Sequence, residues 1–275
     1  MGMFEADVFR YIGLVPVAEL TAQQVKAVVR HIEKRDALDV AGRVLQNIKR
    51  VMAYAVECNV VAINTIRDLK AKPRQTTHRA ALPPDQLPAF VRDVSQYAKT
   101  GSPITQYALE LLLLTFVRSQ ELRFARWKDF DIEARIWKIP AEHMKKKTEH
   151  IVYLADQTLA VLEKLRPLTG HGELLFPSEK NFKQPMSDGT LRMAIFRMGY
   201  DGNTLSKAKC VPHGLRSTAC SILNEQGFNP DAIERQMSHM ERNGVRAAYI
   251  HQAQYKEERM KMMQWRADLL VGIEK

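Results

Sequence analysis

Leu111-Leu112-Leu113-Leu114-Thr115-Phe116-Val117-Arg118-Ser119-Gln120-Glu121-Leu122 passes from four consecutive leucines to an arginine within two helical turns. The leucines close an apolar stretch over residues 104–116, and a helix apolar on most sides must be buried, so this segment begins the larger core. Arg118 therefore comes directly off a buried helix. Upstream, residues 87–98 repeat helical spacing. Downstream, Ile136-Trp137-Lys138-Ile139 and Ile151-Val152-Tyr153-Leu154 have strand character, with Lys145-Lys146-Lys147-Thr148-Glu149 as a polar tip, which predicts a β-hairpin with a basic turn. Further helices are expected near residues 157–165, 187–198, 213–226, 230–238 and 254–270. Asn229-Pro230 has the form of an N-cap followed by an N1 proline, and Gly227 that of a helix-ending glycine. The pattern is mainly α with a small β-sheet, an α+β arrangement.

Nearer the N-terminus, Thr21-Ala22-Gln23-Gln24 reads as a capping box, and Val25, Val28, Val29 and Ile32 follow at helical spacing. A second amphipathic stretch, residues 40–56, places Val44, Leu45, Ile48, Val51, Met52 and Ala55 on one face, with Arg43, Lys49 and Arg50 around the rest. That basic surface fits a solvated face and DNA contact equally well. Lys70-Ala71-Lys72-Pro73-Arg74-Gln75-Thr76-Thr77-His78-Arg79 then lacks apolar periodicity, and Pro73 opposes a continuous helix. The chain accordingly divides into a helical domain at 1–70, a basic linker at 71–81 and a larger domain at 82–275.

The chain has 275 residues, of which 45% are hydrophobic, enough for two globular cores. Its 41 basic and 31 acidic residues leave a formal charge of +10 and a pI near 9.5, so its partner is expected to be a polyanion, with nucleic acid ahead of an anionic membrane. No apolar run reaches the roughly 18 to 20 residues that span a bilayer, and the first residues lack a basic-then-apolar signal pattern, which predicts a cytoplasmic protein. Cys58, Cys210 and Cys220 are scattered and odd in number, which predicts reduced, buried thiols rather than disulfides. Cys210, His213, Cys220 and His239 make a poor metal set, because an expected helix separates the cysteines and no paired spacing occurs.

Cationic residues and one tyrosine recur in order along the second domain: Arg118, then His213-Gly214-Leu215-Arg216, then His239, then Tyr249. Cleaving a phosphodiester requires charge stabilisation on two nonbridging oxygens, and arginine suits this because its planar fork donates paired hydrogen bonds and stays charged when desolvated. Arg118 alone reads equally as a partner for Glu121 one turn on. A tyrosine, with a reference pKa of about 10, needs neighbouring cations and a base to attack phosphorus. Tyr255 competes with Tyr249 for that role. The departing 5′ oxygen needs a proton, and Lys145, Lys146 and Lys147 on the hairpin tip all qualify as general acid.

In this order and with these intervals the set resembles the active site of the tyrosine recombinases, the phage integrase family, and in particular the integrases of temperate and satellite phages and genomic islands. The similarity continues through residues 111–127, Ile139-Pro140-Ala141-Glu142, Phe176-Pro177-Ser178, residues 223–236 and residues 238–249, and into Met262-Met263-Gln264-Trp265. The resemblance implies a helical core-binding domain and a mixed catalytic domain forming a C-shaped clamp on double-stranded DNA attachment sites. It implies that Arg118 and Arg216 hold the scissile phosphate and that His213 assists proton transfer to and from Tyr249, while His239 bonds a phosphate oxygen. Met144-Lys145 followed by His150-Ile151-Val152 selects Lys145 as general acid, and the short interval after His239 selects Tyr249 as nucleophile. The implied activity is site-specific recombination through a 3′-phosphotyrosine, within a tetramer, with no cofactor, metal or ATP and with DNA-bending accessory proteins as possible partners. The alternative is a catalytically silent or topoisomerase-like DNA-binding protein of the same fold. Members of this branch usually carry a further N-terminal domain that binds arm-type sites, and this chain is expected to start after it. Two departures stand out: Ser119-Gln120 replaces a more usual Pro-Gly, and Tyr153 stands where proline is common.

Overall fold

A computed structural model of the chain describes residues 2, 4–73, 80–144, 148–238 and 255–274. The chain forms two compact units, Met1–Thr77 and His78–Lys275. In the first, α1 (Ala22–Lys34) and α2 (Leu38–Glu57) pack face to face. The capping box forms as the sequence predicts, the Gln24 N–H donating to the Thr21 hydroxyl while the Gln24 side-chain Oε1 accepts from the Thr21 N–H at 2.8 Å. Val25, Val28, Val29 and Ile32 meet Ala41, Val44, Leu45, Ile48 and Met52, and short helical turns at residues 5–12 add Val8 to this core. An ion pair of Arg35 with Asp7 ties those turns down. Val51 departs from expectation and is 49% exposed. Met52 and Ala55, farther along α2, stay buried, so Val51 stands at the edge of the apolar stripe and faces solvent. Cys58, just past the end of α2, is likewise exposed, whereas Cys210 is buried and Cys220 half-buried.

The second unit is built around α4 (Pro103–Thr115), which α3 (Leu87–Ser95) precedes. Ala108, Leu109 and the four leucines are all buried, as a helix apolar on most sides requires. Phe116 ends α4 in the left-handed conformation, φ 40°, and its N–H donates to the Leu112 carbonyl at 2.9 Å. That conformation is unfavourable for a residue with a Cβ, and complete burial of the ring holds it in place. The short α5 (Ser119–Arg123) follows at once, so Ser119 replaces the usual proline without loss of a helical start.

Strands β1 (Phe130–Asp131), β2 (Ile136–Ile139) and β3 (His150–Tyr153) form an antiparallel sheet in that order, with Trp137 opposite Val152 and Ile139 opposite His150. The predicted hairpin is therefore present, and β1 extends it, its Phe130 ring stacking on Trp137 at 4.9 Å. The lysines of the tip lie outside the described residues. Then come α6 (Asp156–Thr169), a hairpin of β4 (Pro177–Ser178) and β5 (Asn181–Pro185), and α7 (Thr190–Arg197). The second hairpin has no sequence signal, because β5 is almost wholly exposed and shows no apolar alternation.

The last three helices among the described residues are α8 (Pro212–Glu225), α9 (Pro230–Gln236) and α10 (Lys256–Glu274). Asn229 caps α9 by accepting from the Asp231 N–H at 3.0 Å, with Pro230 in the first turn, and Gly227 takes a positive φ before it. Met262, Met263, Ala267 and Leu270 bury α10 in the core of its own unit, against α3, α4, α6 and α9.

Gly214, inside His213-Gly214-Leu215-Arg216, packs against the returning chain at residues 80–82. A Cβ there would lie 1.9 Å from the Ala80 carbonyl oxygen, and Thr218 donates to the Leu82 carbonyl one turn later. We predict that Gly214→Ala destabilises the second unit by about 1–3 kcal/mol or more through overpacking. Gly42→Ala, where an added Cβ meets nothing within 4 Å, should instead gain roughly 0.5–1 kcal/mol. Urea midpoints for the two variants test the contrast.

Candidate active site

Arg216 projects from α8 into the interior and is only 1% exposed. Its Nη1 donates to the Phe116 carbonyl and its Nη2 to the Met237 carbonyl at 2.7 Å, while Nε has no hydrogen-bond partner among the described residues. Among the described residues the guanidinium thus rests on backbone carbonyls, not on a carboxylate. Burial lowers its pKa to about 10, Glu121 nearby raises it and Arg118 lowers it further. It stays protonated at neutral pH. A buried cation whose direct acceptors are neutral leaves positive potential unspent, which favours an anionic ligand.

Arg118 sits at the other side of the same turn. Glu121, 3% exposed, accepts from the Arg118 N–H at 2.8 Å and from its Nη1 at 2.6 Å. The Arg118 Nη2 reaches the Ser238 carbonyl at 3.3 Å. The ion-pair reading of Arg118 is therefore correct, and it does not compete with a role in a site. Glu121 grips one edge of the fork and turns the rest toward Arg216.

The two arginines converge on consecutive carbonyls, Met237 and Ser238, just past the end of α9. Carbonyls at a helix C-terminus carry partial negative charge and are natural seats for cations. The Phe116 turn supplies the third acceptor, two residues before Arg118. His213 is half-buried in the first turn of α8, three residues before Arg216. The structure so brings Arg118 and Arg216 together, with His213 one turn before Arg216 on the same helix. Lys145, His239 and Tyr249 lie outside the described residues.

The flanks of those residues are described. Met144, before the lysine tip, is buried, and His150, after it, is buried with Nε2 3.0 Å from the Gln236 carbonyl oxygen. The hairpin is thereby fastened to the same end of α9 where the arginines meet. Tyr255 donates its hydroxyl to the Asp231 carboxylate at 3.4 Å. Burial pushes the Cys210 thiol up to about 12, which makes it a poor nucleophile or metal ligand.

Glu121, His150, Gln236 and Arg259 are absent from the set read in the sequence. Glu121 was visible there only as a competing partner for Arg118. Gln236 and Arg259 had no signal, because each acts through or beside backbone carbonyls that no side-chain spacing reveals. The Arg259 guanidinium binds the Gln236 side chain at 2.8 Å and lies 4.8 Å from the centre of the Tyr153 ring. The residue standing where proline is common thus carries a contact that proline lacks.

A family profile described as phage integrase family matches residues 81–256, and one described as phage integrase central domain matches residues 1–72. Putative protein IntB of Escherichia coli K12 is 39% identical, over 97% of this chain and 69% of its own length. The integrase of enterobacteria phage P4 is also 39% identical, over 97% of this chain and 63% of its own. The chain thus spans about two thirds of the length of these relatives. Among solved structures, a lambda integrase tetramer bound to a Holliday junction superposes with a TM-score of 0.70 at 17% identity, covering 87% of this chain and 70% of that one. The Tn1549 transposon integrase in complex with circular intermediate DNA gives 0.65 at 16% identity, covering 94% and 89%. At such identities these two structures establish a shared fold.

The His150 contact has a pH signature. Burial, then repulsion from Arg259, lowers the imidazole pKa from 6.5 to about 3, against the opposing effect of its bond to Gln236. Between those values the unfolded chain binds the proton and the folded chain does not, so stability rises with pH. The His150 contribution is complete above pH 6.5 and is lost as pH falls toward 3. Melting temperatures from pH 7 to pH 4 should therefore fall less steeply for His150→Asn than for the native chain. Equal slopes would contradict the assignment.

Proposed function

The chain belongs to the phage integrase family of site-specific tyrosine recombinases, and from that premise we propose that it cuts and rejoins DNA at the attachment sites of a prophage or genomic island through a 3′-phosphotyrosine. The observation that carries this reading is the convergence of Arg118 and Arg216 on the end of α9, with Arg216 buried on two backbone carbonyls and, among the described residues, no carboxylate in direct contact. Such a pair supplies fixed positive charge where a pentacoordinate phosphorus gathers negative charge, and it needs no reorganisation during the reaction.

In this mechanism Arg118 and Arg216 bind the nonbridging oxygens of the scissile phosphate. The Tyr249 oxygen forms a bond to phosphorus as the bond from phosphorus to the 5′ oxygen breaks. His213 takes the phenol proton and Lys145 gives a proton to the leaving 5′ oxygen. His239 bonds a phosphate oxygen. The 5′ hydroxyl of a second duplex then attacks the phosphotyrosine, its proton passing back to Lys145 as the bond from phosphorus to the Tyr249 oxygen breaks, His213 returns the proton to that oxygen, and the phosphodiester is restored. Each step exchanges one phosphoester for another, so the bond energy is conserved without ATP, and the arginines take the place that a metal ion holds in other phosphoryl transfers. Two such exchanges through a Holliday junction, in a tetramer, complete recombination.

The first 70 residues are proposed as the core-binding domain, residues 71–81 as a linker lying along phosphates and residues 82–275 as the catalytic domain. The surplus of ten positive charges favours rapid, salt-sensitive DNA encounter. No helix among the described residues is long and apolar enough to cross a membrane. We place the protein in the bacterial cytosol, at the nucleoid when bound, with DNA-bending proteins as accessory partners.

Covalent trapping on nicked duplexes carrying the element's own junction tests the proposal. The native chain and Tyr255→Phe should form a denaturation-resistant adduct, Tyr249→Phe none, and Arg118→Ala or Arg216→Ala at least about a hundredfold less. DNA binding without any adduct would instead support a silent binder of this fold.

A further inference from the structure

Three arginines among the described residues of the second unit are almost fully buried: Arg216 at 1% exposure, Arg259 at 0% and Arg266 at 1%. The last two lie seven residues apart on one face of α10. Arg259 donates through Nε and Nη2 to the Gln236 side-chain oxygen, at 3.2 and 2.8 Å, and through Nη2 to the Ile151 carbonyl. Gln236 in turn donates to the Thr115 carbonyl at 3.4 Å. Arg266 donates through Nε to the Leu113 carbonyl at 3.3 Å, and its guanidinium lies 5.5 Å from the centre of the Phe116 ring.

These contacts fall beside the groups that hold Arg216. Its two acceptors are the carbonyls of Phe116 and Met237. Arg259 grips Gln236, the residue before Met237, and Arg266 packs against Phe116 itself. Well-packed apolar residues often stabilise a core as well as or better than buried charges do, so core stability alone gives weak reason for two arginines on this face. Each places a charged fork against backbone that an apolar side chain cannot orient.

We propose that Arg259 and Arg266 are positioning residues for strand cleavage, which aim the Arg216 guanidinium by fixing the two backbone segments that hold it. The helix following the nucleophile segment thereby couples its own seating to the readiness of the site. The inference rests on the recombinase reading above.

The test compares the intact chain with Arg259→Met, Arg266→Met, Arg259→Lys and Arg216→Met. Single-turnover adduct formation is measured at saturating nicked duplex with either an ordinary phosphodiester or a methylphosphonate at the scissile position, beside duplex affinity and melting temperature. Arg259→Met and Arg266→Met should slow adduct formation on the phosphodiester about tenfold or more, with affinity within about threefold of native. The deficit should shrink on the methylphosphonate, as for Arg216→Met, because that linkage carries one less negative charge for Arg216 to neutralise. Arg259→Lys, which keeps the charge and loses the fork, should fall between native and Arg259→Met, and it reports on the proposal should a methionine variant fail to fold. Native rates, or the same fold-loss on both linkages, would mean that these arginines serve the core only. No adduct from the intact chain on either linkage would instead overturn the recombinase reading, and this inference with it.

Discussion

The second unit is organised around one interaction, the seating of the Arg216 guanidinium on the carbonyls of Phe116 and Met237. A buried cation is costly unless its donors are matched, and a carboxylate would match them at the expense of the charge the site needs. Backbone carbonyls resolve the conflict. They satisfy two donors and cancel no whole charge, so the positive potential remains available to a phosphate. The positions of these carbonyls explain features that otherwise look unrelated: the left-handed Phe116 that ends α4, the close passage of α8 at Gly214, and the end of α9 at Met237.

Arg118 follows a different logic at the same place. It is partly exposed and paired with Glu121, so its charge is shared while its direction is set. One arginine therefore contributes a buried, less neutralised charge and the other an oriented fork at the surface. Both end on the C-terminal carbonyls of α9, and His150 fastens the hairpin whose tip carries Lys145 to the same helix end. The end of a short helix of seven residues thus gathers contacts from Arg118 just ahead of α5, and from α8, β3 and α10.

Much of this fold was legible from local pattern. The leucine run marked α4 because burial on all sides leaves no polar face to hide, and Thr21 and Asn229 marked helix starts because capping is a contact over two or three residues. The β4–β5 hairpin was not legible, since exposed strands lack apolar alternation, and Val51 misled because it stands at the edge of the apolar stripe, where a valine fits the pattern yet faces solvent. In the site, the residue types and order of Arg118, His213 and Arg216 were readable. The support behind them was not. Arg259 and Arg266 carry no signal in the sequence, and only the fold shows that they turn inward onto backbone.

The most direct test of the account is a structure of Tyr249→Phe bound to its nicked attachment site. It should show the scissile phosphate with nonbridging oxygens at hydrogen-bond distance, about 2.7–3.2 Å, from nitrogens of both Arg118 and Arg216, while Arg216 keeps its contacts to the Phe116 and Met237 carbonyls. A phosphate bound elsewhere, with Arg216 still enclosed and out of its reach, would show that the buried arginine supports the core and not the chemistry.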